Sequence, residues 1–186
     1  MVLRLVRHGE SEWNLAGRVQ GQCPEAGPLT ARGREQAART AELLAGCRAD
    51  AIISSDLSRA RETADIIAAT LGLEVLIDPE LREQNLGFLE GRAFADPLGN
   101  GTVQDVIDGL WWEPRRHPEG GESILDLYQR IHAALARYEG RDLVLVAHGG
   151  PVRVATTTAD PRTGESVPRV PVGNATVTPL GSFVGK

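Results

Sequence analysis

Short apolar runs alternate with helix-like repeats along most of the chain. Apolar or β-branched residues cluster at positions 2–6, 51–54, 74–77 and 142–147, and runs of this length predict β-strands. The run at 142–147 is apolar throughout from Leu143 to Val146, which is typical of a central parallel strand. A last strand is expected at 174–179.

Apolar residues recur every three or four positions in three segments between these runs. The first segment follows Thr30, a good N-cap, and the second, which begins near position 58, is followed by Gly72 as a stop signal. The third opens with a capping box at Ser123 and is closed by Gly140. Strands and helices therefore alternate, as in an α/β protein.

Two segments lack clear periodicity. Positions 10–29 hold several glycines and prolines, which is loop composition. Positions 92–121 contain a Gly-Asn-Gly turn and the adjacent Trp111 and Trp112. This segment is either an excursion that covers a site or a surface loop whose tryptophans fill the edge of the core. Threonines at 156–158 and Pro161 disfavour helix, so the helix after His148 is expected to be short.

Composition narrows the class of protein. The chain has 186 residues, of which 41% are hydrophobic and 24% charged, as expected for a single globular domain over 1–186. The net charge of −5 argues against a nucleic-acid partner. Cys23 and Cys47 fit no metal-ligand spacing and predict free thiols in a reducing, cytoplasmic compartment. No stretch is long enough to cross a membrane. We expect a monomer or homodimer that acts on a small molecule.

The first strand runs directly into Arg7, His8 and Gly9. Ligands of open α/β sheets bind beyond the carboxyl ends of the strands. A guanidinium matches phosphate oxygens, and a neutral imidazole can act as a nucleophile. Gly9 would let the backbone turn and a ligand approach its N–H. Taken alone, the triplet is better explained as a polar strand end exposed to solvent, and the downstream residues favour the functional interpretation.

A second cluster lies where the strand at 51–54 passes into a helix. Arg59 falls in the first turn of that helix, where the dipole already carries positive charge, so an arginine there indicates an anion. Alternatively, Arg59 and Arg61 could form surface ion pairs with Glu62 and Asp65. The residues themselves leave both interpretations open.

Other polar residues are weaker candidates. Glu83 and Glu90 could both transfer a proton to a leaving oxygen, and composition does not rank them. Ser11 and Asn14 could donate to a phosphate or simply form turns. His132, inside the third helix, is expected to be structural.

The strand at 142–147 ends on a second histidine and glycine, His148 and Gly149, and so repeats the opening pattern. Together, the segments LVRHGESEWN, SSDLSRARETA, LREQNLGFLEG, EGGES and LVLVAHGG resemble the histidine phosphatase superfamily, the phosphoglycerate mutase-like proteins. The resemblance implies a three-layer α/β/α sandwich with a mostly parallel sheet, and a lid-like excursion at about 92–121. It implies a catalytic set of His8, Glu83 and His148, and a phosphate pocket of Arg7, Asn14, Arg59, His148 and Gly149.

The resemblance also implies an activity. A metal-independent phosphomonoester hydrolase with no cofactor, acting on a small phosphorylated metabolite through phosphohistidine, is expected. Mutases of the family carry a longer insertion before the second histidine, and segment SSDLSRARETA is more similar to the phosphatases. A phosphoglycerate mutase and a non-catalytic phospho-ligand binding protein remain the alternatives. Arg115, Arg116 and His117 are expected to meet a carboxylate on the leaving group.

Overall fold

A five-stranded sheet forms the centre of the computed structural model, which describes residues 1–180. The strands are β1 (Leu3–Arg7), β2 (Ala51–Ser54), β3 (Val75–Ile77), β4 (Pro97–Leu98), β5 (Gly101–Thr102), β6 (Leu143–Ala147) and β7 (Val177–Leu180). The sheet has the order β3-β2-β6-β1-β7, and β4 pairs separately with β5. All neighbours in the five-stranded sheet are parallel except β7, which runs antiparallel to β1. The expected mostly parallel sheet is therefore confirmed.

The α-helices of the described residues are α1 (Glu12–Leu15), α2 (Ala31–Leu44), α3 (Ser58–Leu71), α4 (Val103–Trp112), α5 (Ile124–Ala136) and α6 (Gly149–Thr156). Short 3₁₀ turns lie at Pro79–Leu81, Gly87–Leu89 and Pro161–Thr163. None of the helices in the described part of the chain is long and apolar enough to span a membrane.

Alternate residues of the central strands face two separate cores. Leu143 and Leu145 of β6 pack with α4, α5 and α6, whereas Val144 and Val146 pack with α2 and α3. This period of two buries both faces of the sheet. The three-layer α/β/α sandwich is confirmed.

The helix ends follow the expected signals in most places. Thr30 accepts a hydrogen bond from the backbone N–H of Gly33, and Ser123 and Asp126 form the expected capping box. Gly72 ends α3 in the left-handed conformation, with φ of 65°. Because α6 ends at Thr156, the short helix after His148 is also confirmed. By contrast, α5 ends at Ala136 rather than at Gly140.

The two segments that lack periodicity contain more structure than expected. Helix α1 interrupts the loop at 10–29, and the 92–121 segment contains the β4–β5 hairpin and α4. Thr102 and Asp105 form a capping box at the start of α4. This pair of residues, three positions apart, indicates a helix start in the sequence. Trp111 is buried in the core and Trp112 is exposed, so only one of the two tryptophans fills the interior.

Candidate active site

His8 and His148 follow neighbouring parallel strands at the same edge of the sheet. Arg7 pairs with Ala147 in the β1–β6 register, so the next residue of each strand lies beside the other. The two imidazole rings are 5.2 Å apart between centroids, and both side chains are buried. The sheet register alone thus brings the two predicted histidines together.

The contacts of His8 define its protonation state. Its Nδ1 lies 2.7 Å from the carbonyl oxygen of Gly9, and Nε of Arg59 donates to its Nε2 across 3.2 Å. A carbonyl accepts only from an N–H, so the proton is assigned to Nδ1 and Nε2 keeps its lone pair. Burial, reinforced by Arg59 and Arg7, holds the pKa of His8 well below its usual value. His8 is therefore a neutral imidazole near pH 7.

Arg59 lies in the first turn of α3 and is buried at 1% exposure. Besides His8, it donates from a terminal nitrogen to the carbonyl oxygen of Gly21 at 2.8 Å. Burial lowers its pKa to about 10, so it remains charged near neutral pH. The surface ion-pair interpretation is therefore wrong for Arg59. Of the two arginines, Arg61 is the exposed one, and Glu62 forms its ion pair with Arg34.

Arg7 and Asn14 present donors to the same pocket. A terminal nitrogen of Arg7 donates to the carbonyl oxygen of Val172, while its buried Nε has no partner among residues 1–180. The carboxamide oxygen of Asn14 accepts from Ser11 and from Asn174. The amide nitrogen of Asn14 is thus the end available to an anion.

Within residues 1–180, His148 makes one side-chain hydrogen bond in addition to its ring contact with His8. Its Nε2 lies 2.9 Å from Oγ of Ser55, and its buried Nδ1 has no partner within the described residues. Burial, and then the charge of Arg59, lowers the pKa of His148 well below its usual value. Gly149 follows at the start of α6 and lines the pocket, which His148 itself does not.

The two acidic candidates have different surroundings. Glu83 lines the pocket, and its carboxylate accepts from the backbone N–H groups of Gly150, at 3.1 Å, and Gln84, at 2.8 Å. Glu90 instead accepts from the backbone N–H groups of Gln22 and Leu86 and ties two loops together. Geometry therefore favours Glu83 as the proton-transfer group.

A cavity of about 110 Å³ is lined by most of the predicted site residues: Arg7, His8, Asn14, Arg59, Glu83 and Gly149. His148 lies behind its wall. A cavity that holds one water has a volume of roughly 10–15 Å³, so this one holds several waters or one phosphoryl group with part of its leaving group. Its side chains include five arginines and one carboxylate: Arg7, Arg18, Arg59, Arg153, Arg169 and Glu83. An acidic protein thus has a strongly basic pocket, which suits an anion.

A model of the "Histidine phosphatase superfamily (branch 1)" matches residues 3–183. The chain belongs to the histidine phosphatase superfamily. A probable phosphoglycerate mutase GpmB from Escherichia fergusonii is 43% identical over 152 residues, which cover 78% of this chain and 68% of that protein. The superfamily contains phosphatases and mutases, so the chain is a phosphoryl-transfer enzyme.

Solved structures of superfamily phosphatases are similar over most of the chain. A mycobacterial glucosyl-3-phosphoglycerate phosphatase, solved with VO3, has 31% identity and a TM-score of 0.78, and the match covers 97% of this chain and 90% of that one. A putative α-ribazole-5'-P phosphatase from Escherichia coli has 33% identity and a TM-score of 0.69, with 82% and 76% covered.

Some expectations about this histidine phosphatase pocket are wrong. The N–H of Gly9 donates to Oγ1 of Thr63, and a Cβ at Gly9 would lie 2.4 Å from the carbonyl oxygen of Gly33. The glycine therefore allows close packing against α2 rather than ligand approach. The one hydroxyl proton of Ser11 is directed at Oε1 of Gln20, 2.7 Å away, so it is not available to a phosphate.

The basic cluster after α4 is also outside the pocket. Arg115, Arg116 and His117 are exposed, and the last two lie against Glu113 and Asp126. The expectation that they meet the leaving group is therefore wrong. His132, as expected, is structural: its Nδ1 lies 2.9 Å from the carbonyl oxygen of Tyr128, on whose ring it stacks.

Sequence reasoning missed Arg153, Arg169 and Trp111 as pocket residues of this family member. A signal existed for Arg153, since it lies four residues after Gly149 on α6 and so shares its helix face. Arg169 comes from an irregular segment, where spacing predicts no direction.

Both predicted free thiols, Cys23 and Cys47, are confirmed.

Proposed function

We propose that this protein is a metal-independent phosphomonoester hydrolase that acts through a phosphohistidine on a small phosphorylated metabolite. The observation that carries the proposal is the neutral His8, whose Nε2 lone pair is held in a pocket with Arg7 and Arg59. The phosphatases among its structural neighbours support hydrolysis.

In the first step, Nε2 of His8 attacks phosphorus in line with the leaving oxygen. Arg59, which binds that nitrogen in the free protein, and Arg7 bind the phosphoryl oxygens and stabilise the charge that develops on them. The proton stays on Nδ1, where the carbonyl of Gly9 orients the ring. His148 and Asn14 bind further phosphoryl oxygens.

Glu83 then completes the exchange of protons. Protonated Glu83 gives its proton to the departing alcohol as the P–O bond breaks and the P–N bond forms. In the second step, the Glu83 carboxylate takes a proton from a water that attacks phosphohistidine. Inorganic phosphate leaves, and both His8 and Glu83 return to their starting states without a metal ion.

A phosphoglycerate mutase is the second candidate, because curated relatives are named probable phosphoglycerate mutases. Mutation requires phosphohistidine to survive until a second hydroxyl arrives, so water must be excluded. The 92–121 segment is short, so it covers the pocket less than exclusion of water would require. With 3-phosphoglycerate and a trace of 2,3-bisphosphoglycerate, we expect loss of phosphate or no reaction; rapid formation of 2-phosphoglycerate without phosphate release would make the mutase correct.

The phosphoenzyme provides the direct test. Protein quenched in base during turnover of radiolabelled p-nitrophenyl phosphate should carry an acid-labile, base-stable label, and His8→Asn should carry none. Turnover by His8→Asn at near the parent rate would refute the covalent mechanism. A parent protein that binds phosphate esters but never releases phosphate would instead be a non-catalytic binding protein.

A further inference from the structure

Arg130 uses its whole guanidinium to hold the segment that carries Glu83. Its terminal nitrogens donate to three backbone carbonyl oxygens of that segment, those of Glu80 at 2.6 Å, Arg82 at 3.0 Å and Glu83 at 3.3 Å. Its Nε and one terminal nitrogen also form a bidentate pair with the Glu122 carboxylate, at 3.1 and 2.8 Å. A guanidinium has five N–H donors, so these five bonds use all of them.

The supported segment has no regular structure of its own. Residues 82–86 lie between two 3₁₀ turns and belong to no helix or strand, so their backbone groups need other partners. Side chains provide them: Arg130 binds the carbonyls, and the Glu122 carboxylate accepts from the N–H of Asn85 at 2.8 Å. The backbone around Glu83 is thus tied to one ion pair, between Arg130 on α5 and Glu122 just before that helix.

The peptide bond between Glu83 and Gln84 transmits this support to the carboxylate. In a planar trans peptide the C=O and the N–H point in opposite directions. The C=O of Glu83 faces Arg130, and it also accepts from the side chain of Gln22 at 2.9 Å. The N–H of Gln84, on the other side of the same plane, donates to the Glu83 carboxylate at 2.8 Å. Anchoring the carbonyl therefore directs the N–H that holds the carboxylate.

Helix α5 also supports the second donor to Glu83. Gly150 donates its N–H to the carboxylate at 3.1 Å, and a Cβ placed on Gly150 would lie 3.2 Å from Cδ2 of Leu127. Leu127 and Arg130 are three residues apart on α5, so they share one face of that helix. The N–H groups of Gln84 and Gly150 are thus both held in place from α5.

Arg130 itself does not line the pocket, and its donors are all in use, so any effect on the reaction must pass through Glu83. We propose that Arg130 is a positioning residue for proton transfer: by anchoring the Glu83 carbonyl, it directs the Glu83 carboxylate at the leaving oxygen. The inference rests on the proposed hydrolase activity and adds a residue to its machinery. A displacement of about 1 Å at a reacting group can cost roughly 100-fold in rate.

The leaving-group dependence of Arg130→Gln provides the test. The variant should lower kcat for ethyl phosphate by about 10- to 100-fold, because ethanol needs a proton from a well-placed acid. It should lower kcat for p-nitrophenyl phosphate by about 3-fold or less, because that leaving group needs little protonation. The inhibition constant of inorganic phosphate should be unchanged. Equal losses on both substrates, or no loss on either, would overturn the proposal.

Arg137→Gln is the matched control. Arg137 follows the last residue of α5, and its ion pair with Asp78, at 2.7 Å, holds the start of the same segment. Within residues 1–180 it bonds no peptide group of Glu83, so any loss that it causes should be equal for the two substrates. A leaving-group-dependent loss as large as that of Arg130→Gln would indicate general loosening of the segment and overturn the specific role.

Arg130→Lys keeps the test valid if Arg130→Gln fails to fold. Lysine retains the charge beside Glu122 but not the planar fork that reaches three carbonyls. The variant should therefore show the same preferential loss on ethyl phosphate. Parent rates on both substrates in Arg130→Lys would overturn the proposed role of the fork.

The amide proton of Gln84 reports on the anchor without turnover. In NMR spectra of ¹⁵N-labelled protein, its exchange with solvent should be faster in Arg130→Gln than in the parent and unchanged in Arg137→Gln. Faster exchange in Arg130→Gln, with a parent that hydrolyses nothing, would retain the anchor and reject the hydrolase. Hydrolysis by the parent, together with unchanged exchange in Arg130→Gln, would reject the anchor alone.

Discussion

Nε of Arg59 donates a hydrogen bond to Nε2 of His8 across 3.2 Å, so a cation covers the lone pair that is proposed to attack phosphorus. In the free protein this bond orients the imidazole and disfavours its protonation. A bound phosphoryl group offers Arg59 a charged acceptor in place of a neutral nitrogen, and charge-assisted bonds are the stronger ones. Substrate binding would therefore release the nucleophile.

Arg59→Ala should lower kcat/KM for p-nitrophenyl phosphate by about 10²–10³-fold, the cost of losing one preorganised contact to developing negative charge. Arg61→Ala is the matched control, because Arg61 lies two residues later on the same helix and is exposed. Steady-state kinetics on both variants test this expectation. Comparable losses in the two would show that the effect is not specific to the pocket.

Glu83→Gln should act according to the leaving group. Alkyl phosphates need protonation of the departing oxygen and should lose about 10²–10⁴-fold in rate, whereas p-nitrophenyl phosphate should lose about 10-fold or less. Glu90→Gln serves as the comparison, since the Glu90 carboxylate is occupied by backbone N–H groups and does not line the pocket. Leaving-group dependence in Glu90→Gln rather than in Glu83→Gln would move the acid role to Glu90.

Gly150→Ala should produce the same pattern as Glu83→Gln without changing Glu83 itself. A Cβ at Gly150 would lie 2.2 Å from Oε1 of Glu83, so the carboxylate must move away from the backbone N–H that holds it. The rate on ethyl phosphate should fall more than the rate on p-nitrophenyl phosphate. Gly46→Ala, where an added Cβ meets nothing within 4 Å, should leave both rates unchanged.

The buried histidines predict that acid destabilises the fold. The pKa values of His8 and His148 are lowered in the folded state, so the unfolded chain binds more protons below about pH 6.5. The free energy of unfolding should therefore decrease as pH falls from about 6.5 to 5. His148→Asn should reduce that slope by up to about 1.4 kcal/mol per pH unit, the one-proton limit that is approached near pH 5. Urea unfolding at several pH values measures the slope, and an unchanged slope would contradict this assignment.

Chelators should leave the activity unchanged, because Arg7 and Arg59 provide the positive charge that a divalent cation provides in other phosphoryl-transfer sites. Assays with and without EDTA, followed by added Mg²⁺, measure this. Activity that disappears in EDTA and returns with the metal would indicate a different mechanism.

The sequence predicted the elements whose signals are local. The strand at 51–54 and the cap at Thr30 are found where expected, because β-branched runs and capping residues act over a few positions. The two histidines could be placed together because parallel strands end at one edge of a sheet. The roles suggested for His8 and Glu83 came from the family resemblance and await the kinetic tests above.

The residues that the sequence did not predict depend on long-range packing. Arg169 reaches the pocket from a loop and pairs with Asp108, which is 61 residues away in the chain. Its direction is set by α4, a helix that was itself not predicted. The prediction for Arg116 was wrong for the opposite reason: it was expected at the leaving group, but a nearby carboxylate, Glu113, binds it at the surface. The sequence reveals that a residue is positively charged, but it does not reveal which carboxylate will pair with it in the fold.

The position of β1 between β6 and β7 has a consequence for biosynthesis. Strand β1 is synthesised well before either of its sheet neighbours, β6 (Leu143–Ala147) and β7 (Val177–Leu180). Contacts of such high sequence separation form slowly. His8 therefore follows an unpaired apolar strand until residues 143–180 have been synthesised. A nascent chain stopped before that point would contain one half of the pocket without the other.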